Sequence, residues 1–294
     1  MCYNTDMMIK KINVLYFSAT GTTKKVASKV AEAVRDGLSQ GGAGEIPTEF
    51  FNVSQPQARE KTYTFGNDEL LICAFPVNAG RIPNLLLPFV KGNIHGEGAF
   101  AIEVVTFGNR AFDDALIEMK VILEENGFTS VAAGAFSCRH SFSEILGAGR
   151  PDEEDLKEAE TLGKAAAEKL IKAESAGSDP KAAIGTFAVD GNPELPGYYR
   201  PQDRYGNPIN ILKVVPKTDM SKCNRCFECA KVCTMGSISF DDPAVMTGKC
   251  IKCNACLRVC PKGAKYFDDP GYILHKTELE EMYAGRRAEN RLFY

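Results

Sequence analysis

Eight cysteines fall within one short stretch, at Cys223, Cys226, Cys229 and Cys233 and again at Cys250, Cys253, Cys256 and Cys260. Each set is spaced C-x2-C-x2-C-x3-C, and Pro261 follows the second. Thiols this dense suit soft-metal ligation in a reducing compartment and not the even stapling of a secreted scaffold. Zinc sites normally present two separated C-x2-C hooks, so zinc is the weaker reading of three closely spaced cysteines plus a fourth. The two sets are copies of one unit at a spacing of 27 residues: residues 222–243 laid on 249–270 without gaps agree at 11 of 22 positions. The agreement includes all four cysteines, Gly236 with Gly263, and Phe240-Asp241-Asp242-Pro243 with Phe267-Asp268-Asp269-Pro270. It predicts a small pseudo-twofold module. Cys2, Cys73 and Cys138 stand apart, and Cys73, inside an apolar run, reads as a small core hydrophobe.

The repeated run resembles that of the bacterial two-cluster ferredoxins, in which the first three cysteines of each copy hold one cluster and the fourth reaches across to the other. The resemblance implies two [4Fe-4S] clusters, one on Cys223, Cys226, Cys229 and Cys260 and one on Cys250, Cys253, Cys256 and Cys233. Thr234 stands where the run usually has proline, which removes a rigid turn but no ligand.

A second stretch could bind an anion. Phe17-Ser18-Ala19-Thr20-Gly21-Thr22-Thr23 lies between an apolar run and a helical pattern, where hydroxyls and successive backbone N–H groups at a helix N-terminus make a phosphate cradle. It has neither the G-x-x-x-x-G-K-[ST] nor the G-x-G-x-x-G spacing, so a mononucleotide phosphate fits better than a triphosphate or a dinucleotide. A plain polar helix cap is the competing reading.

The elements that must position this loop alternate in type. Strands are expected at 12–17, 49–53, 70–75, 99–107 and 131–136. A helix is expected at 22–38, where Val26, Val30, Val34 and Leu38 share a face. A short helix is expected from Pro83 to Leu87. A further helix carries Phe112, Ala115, Leu116, Met119, Ile122 and Leu123 and stops at Gly127, and a long one opens at Pro151 with Leu156, Leu162, Ala166 and Leu170 inward. Five strands with intervening helices fit an α/β doubly wound parallel sheet of order 2-1-3-4-5.

Residues 10 to about 176 are similar to a flavodoxin, and the chain as a whole resembles flavodoxin-ferredoxin fusion proteins of anaerobes. Ser18, Thr20, Gly21, Thr22 and Thr23 match the flavodoxin phosphate-loop pattern. Pro76, Val77, Asn78, Ala79, Gly80 and Arg81 resemble the first flavin-ring loop. Thr106, Phe107, Gly108, Asn109 and Arg110 resemble the second. The resemblance implies FMN. Asn78 replaces a common tyrosine and the chain has no tryptophan, which leaves Phe107 as the aromatic for one face of the ring. Arg81 and Arg110 are candidates to ease negative charge on reduced flavin, with solvated arginines as the alternative. Asn109 reads as a helix N-cap ahead of a flavin contact, and His140 as a loop histidine ahead of an acid–base group.

The expected organisation is a flavodoxin-like FMN domain at 1–178, a Pro/Gly/Tyr-rich linker or strap at 179–218, a small α+β two-cluster ferredoxin domain at 219–270 and a charged helical tail at 271–294. With 44% hydrophobic and 25% charged residues and a formal charge of -3, the composition is that of a soluble protein with no basic stripe for nucleic acid. No apolar run reaches the roughly 18 residues of a membrane helix, and the run at 12–17 is too short for a signal peptide, which points to the cytoplasm. The expected function is electron transfer between FMN, the clusters and soluble redox partners. Alternatives are an FMN-dependent oxidoreductase on a small substrate and a redox sensor; a homodimer is compatible with each.

Overall fold

Residues 12–16 are apolar but for Asn13 and do not alternate, the pattern of a strand covered on both faces, and they form the buried part of β1 (Lys11–Tyr16). The computed structural model describes residues 8–176 and 179–294. Cys2, the first seven residues of the expected N-terminal domain and its end at 177–178 lie outside the described residues.

After β1 the chain forms α1 (Thr22–Leu38), β2 (Thr48–Asn52), β3 (Tyr63–Gly66), β4 (Glu69–Pro76), α2 (Leu87–Asn93), β5 (Ile94–Glu97), β6 (Phe100–Phe107), α3 (Ala115–Glu125), β7 (Thr129–Ser137), α4 (Glu153–Ser175) and α5 (Pro180–Ile184). Then come β8 (Lys217–Thr218), α6 (Glu228–Lys231), α7 (Ala255–Val259), β9 (Lys265–Tyr266), α8 (Pro270–Tyr283) and β10 (Arg291–Phe293). Strands β2-β1-β4-β6-β7 are parallel, and numbered along the chain their order is 2-1-3-4-5. The fold is therefore the flavodoxin-like doubly wound α/β arrangement. One apolar core lies under α1 and α4, the other on the opposite face under α2 and α3.

Four details depart from the sequence reading. The short helix does not open at Pro83: residues 83–86 make a turn, and the helix starts at Leu87 with Pro88 in its first turn, where a missing N–H costs nothing. Helix α3 begins at Ala115, after Phe112. The inward stripe of α4 carries Asp155 and Ala159, with Leu156 only half-buried. The largest departure is the C-terminal segment. Beyond α8 it returns to the first domain and adds β10 antiparallel to β7 as a sixth strand of the main sheet.

The cysteine-rich module is thus held from both sides, by the strap before it and by α8 and β10 after it. Its repeat is visible in the backbone. Arg225 and Lys252 (φ 55° and 59°), Phe227 and Asn254 (58° and 57°), and Gly236 and Gly263 (61° and 58°) occupy matching left-handed positions 27 residues apart. Among the described residues no helix is long and apolar enough to cross a membrane.

Candidate functional site

The candidate phosphate loop leaves β1 at Phe17. Ser18 is used internally: its N–H donates to Ser54 Oγ (2.9 Å) and its own Oγ accepts the Lys24 N–H (3.1 Å). Thr23 is buried with its hydroxyl 2.7 Å from that of Thr106, tying this loop to the one after β6. Gly21 caps α1 at φ 92°, a conformation that favours glycine, and a Cβ there would meet nothing within 4 Å. The amides of Thr20, Gly21, Thr22 and Thr23 find no acceptor among the described residues. Free N–H groups at the positive end of a 17-residue helix, flanked by the hydroxyls of Thr20 and Thr22, are the donors that one phosphate group would need. The loop fits the terminal phosphate of a mononucleotide.

The two candidate ring loops meet this loop at the strand ends, where Val77 N–H donates to the Thr106 carbonyl (2.8 Å). Asn78 and Arg81 close a tight turn by exchanging backbone hydrogen bonds of 2.9 and 3.2 Å, with Ala79 and Gly80 at positive φ and Pro76 ending β4. Several side chains differ from expectation. Arg81 is not a free cation beside a ring. It is buried in a two-pronged ion pair with Glu118 (2.6 and 2.9 Å) and donates to the Leu195 carbonyl. Arg110 pairs with Asp113 and lies 4.3 Å from the ring centre of Tyr199. Phe107 is core, packed at 5.6 Å against Phe112.

Asn109 caps no helix. At φ 62° and buried, it donates to the carbonyls of Tyr283 (2.9 Å) and Arg286 (3.0 Å) and accepts from Ala288 N–H (3.0 Å). It anchors the C-terminal segment. Gly108 is small for a reason: a Cβ there would fall 2.2 Å from the His140 ring. Burial first, and then the charges of His275, Arg110 and Arg258, hold His140 down to about 3, so its imidazole stays neutral at physiological pH.

The strap closes over this mouth. Tyr199 N–H donates to the Ala79 carbonyl (2.8 Å) while its ring lies under Arg110, so Tyr199 spans both ring loops; Tyr198 Oη donates to the Ile82 carbonyl (2.8 Å). A groove of about 510 Å³ runs between the strap and the turns at Ala79–Gly80 and Asp113–Asp114. Nothing local signals that Tyr199 reaches these loops, beyond three tyrosines in an otherwise Pro/Gly-rich stretch.

Four of the cysteines gather as one crossed set. Cys233, from the first copy, lines one cavity with Cys250, Cys253 and Cys256 of the second. Cys229 lies within electrostatic reach of Cys223 and Cys260, and Cys226 is exposed. Backbone amides point at the sulfurs with the same twofold repetition. Arg225 and Lys252 N–H donate to Cys223 and Cys250 Sγ (3.4 and 3.3 Å), and Ser237 and Ala264 N–H donate to Cys233 and Cys260 Sγ (3.3 and 3.2 Å). Such donors stabilise thiolate charge. Burial pushes Cys256 up to about 12 and raises Cys229, Cys250 and Cys253 as well, whereas at Cys260 the backbone amides of residues 262–265 outweigh burial and lower it. Loading metal must therefore displace protons from the four raised thiols. By contrast Cys73 and Cys138 are buried in apolar surroundings that raise their thiols far above the usual range.

The family model described as a 4Fe-4S binding domain matches residues 243–266. No curated protein sequence matches the chain. Among solved structures, a short-chain flavodoxin associated with a PDU bacterial microcompartment shares 14% identity over 55% of this chain and 99% of its own, with a TM-score of 0.38. A flavodoxin from the domain Archaea shares 18% over 54% and 98% (TM-score 0.33), and oxidised flavodoxin 2 from Bacillus cereus shares 16% over 54% and 99% (TM-score 0.34). The flavodoxin-like assignment rests on the strand order and loop placement described above.

Proposed function

We propose that this chain is an electron-transfer flavo-iron-sulfur protein that binds FMN through Ser18–Thr23 and the two ring loops and carries two [4Fe-4S] clusters on the crossed cysteine sets. FMN would supply two-electron chemistry and the clusters one-electron steps. The open amides of residues 20–23 would hold the phosphate, the strap covers the ring loops, and the core shared with Met235 and Ile251 fixes the cysteine module against the mouth.

The observation that carries the reading is the docking itself. Met235 and Ile251, within two residues of Cys233 and Cys250, pack on the same apolar core that contains Phe17 and Phe107 of the loops at the mouth. A module tethered only for stoichiometry would not share a core with the loops of the other. The division at 1–178, 179–218, 219–270 and 271–294 is accordingly one of sequence, with the last segment serving the first domain. Soluble redox proteins or a small electron donor or acceptor are the expected partners.

Stopped-flow reduction by a low-potential ferredoxin tests the reading. Cluster bleaching should precede the flavin absorbance change, and a Cys226→Ser/Cys253→Ser protein should lose fast flavin reduction. Equally fast flavin reduction in that variant would refute coupled transfer.

A further inference from the structure

The two copies of the cysteine unit agree at half of their positions, yet they face different surroundings. Every contact that follows touches the set Cys233, Cys250, Cys253 and Cys256 or a near neighbour of it. Thr234, next to Cys233, offers its carbonyl to Arg59 Nη2 (2.6 Å), and the Arg59 guanidinium lies 5.7 Å from the Phe17 ring centre. Met235 and Ile251 pack on the apolar core that also contains Phe17 and Phe107. Asn254, next to Cys253, donates to Tyr272 Oη (2.9 Å). Tyr272 lies 5.4 Å from Phe142, and Phe142 lies 4.1 Å from His140, whose ring rests on Gly108 of the second ring loop. Arg258, two residues after Cys256 and two before Cys260, donates to the carbonyls of His140 and Ser141 (2.9 and 3.0 Å).

The equivalent positions of the other set carry different residues. Where this set has Met235, Ile251, Asn254 and Arg258, the repeat places Lys262, Asn224, Phe227 and Lys231. Lys262, Asn224 and Lys231 are exposed, Phe227 stacks on Phe240 within the module, and Lys231 pairs with Glu228. Among the described residues, no hydrogen bond, ion pair or ring contact joins residues 222–232 to residues 8–176, and Cys226 is exposed. Two apolar residues at one half and two hydrophilic ones at the matching places of the other amount to a docked face and a solvent face.

We propose that the halves of the repeat are inequivalent: the Cys233/Cys250/Cys253/Cys256 set is the inner, flavin-side centre, joined to the second ring loop by the Tyr272–Phe142–His140 column, and the Cys223/Cys226/Cys229/Cys260 set is the outer centre that external redox partners reach. The inference rests on the FMN and two-cluster reading above, which iron, sulfide and flavin analysis of the same sample decides separately.

The test uses the full-length, anaerobically loaded protein after dithionite reduction. EPR power saturation is recorded with and without a soluble dysprosium chelate, and again with FMN removed and restored. Two cluster signals should respond oppositely, one relieved of saturation by dysprosium and blind to FMN, the other sensitive to FMN and shielded from dysprosium. Cys253→Ser should retain the first and Cys226→Ser the second. Thr234→Val assigns them without disturbing a ligand, because the Thr234 hydroxyl lies 3.7 Å from Cys253 Sγ; it should shift the potential of the FMN-sensitive signal alone. Equal dysprosium sensitivity of both signals, or a Thr234→Val shift in the dysprosium-sensitive one, would overturn the assignment.

Discussion

The loops after β1 and β6 hold equivalent places at the ends of parallel strands, but they satisfy their polar groups in opposite ways. The first leaves four successive amides free beside two threonine hydroxyls. In the second, Asn109 spends its whole side chain on residues 283–288, and the carbonyls of Asn109 and Arg110 accept from the Arg286 guanidinium. An open donor array invites a ligand, whereas the side chain and carbonyls of the second loop are already taken. The first loop therefore keeps donors for a phosphate, and the second is held in shape by a joint with the far end of the chain.

The sharpest way to break this contrast is to close the open loop. Thr20→Glu together with Thr22→Glu places negative charge where the phosphate would sit, and flavin retention after gel filtration should be abolished while iron content is unchanged. Retained flavin would mean that the amides are not its phosphate site.

The next largest effect attacks the joint from beneath. Arg150 and Asp155 form a buried pair (2.5 to 3.2 Å), and the same two residues hold the Ala288 carbonyl and the Asn290 side chain. Asp155→Ala leaves a buried guanidinium without its partner and should cost about 3–5 kcal/mol in urea unfolding. Asn109→Ala removes three hydrogen bonds at the joint itself and should cost about 1–3 kcal/mol, with faster amide exchange along β10. A wild-type exchange profile in that variant would show that the segment holds without the joint.

The smallest effect depends on pH and lies away from both loops, which makes it a control for general destabilisation. Glu103 is buried in β6, accepts the Ser130 hydroxyl at 2.7 Å, and burial pushes it up to about 8 from 4.5. The folded state keeps a proton that the unfolded chain releases, so its stabilising contribution is complete below about 4.5 and is lost as pH rises through about 8. Glu103→Gln should therefore match wild type at pH 4 and gain over it progressively toward pH 9, without moving flavin affinity. A gain that is independent of pH would contradict the assignment.

Much of the frame was legible because its signals are local. Four of the five parallel strands are largely apolar runs, α1 spans the expected Thr22–Leu38, and the cysteine spacing repeats itself. The crossed gathering of Cys233 with the second copy follows the resemblance to two-cluster ferredoxins. What escaped depends on distant partners. Arg81 looks like a free loop cation until Glu118 arrives from α3, and Asn109 resembles a helix cap until residues 283–288 fold back onto it. Strand β10 has three residues in a charged segment, too few to show a pattern, and exists because the exposed edge of β7 offers it a ladder. Phe107 was the obvious aromatic for a ring face, but its place at the end of β6 turns it into the core.

The central claim is that one chain carries a flavin and two iron-sulfur clusters in a shared body. Iron, acid-labile sulfide and flavin analysis of anaerobically purified protein tests it most directly. The proposed function predicts about eight irons, about eight sulfides and about one FMN per chain. Bound zinc in place of iron, a single cluster's complement of iron, or FAD instead of FMN would contradict it.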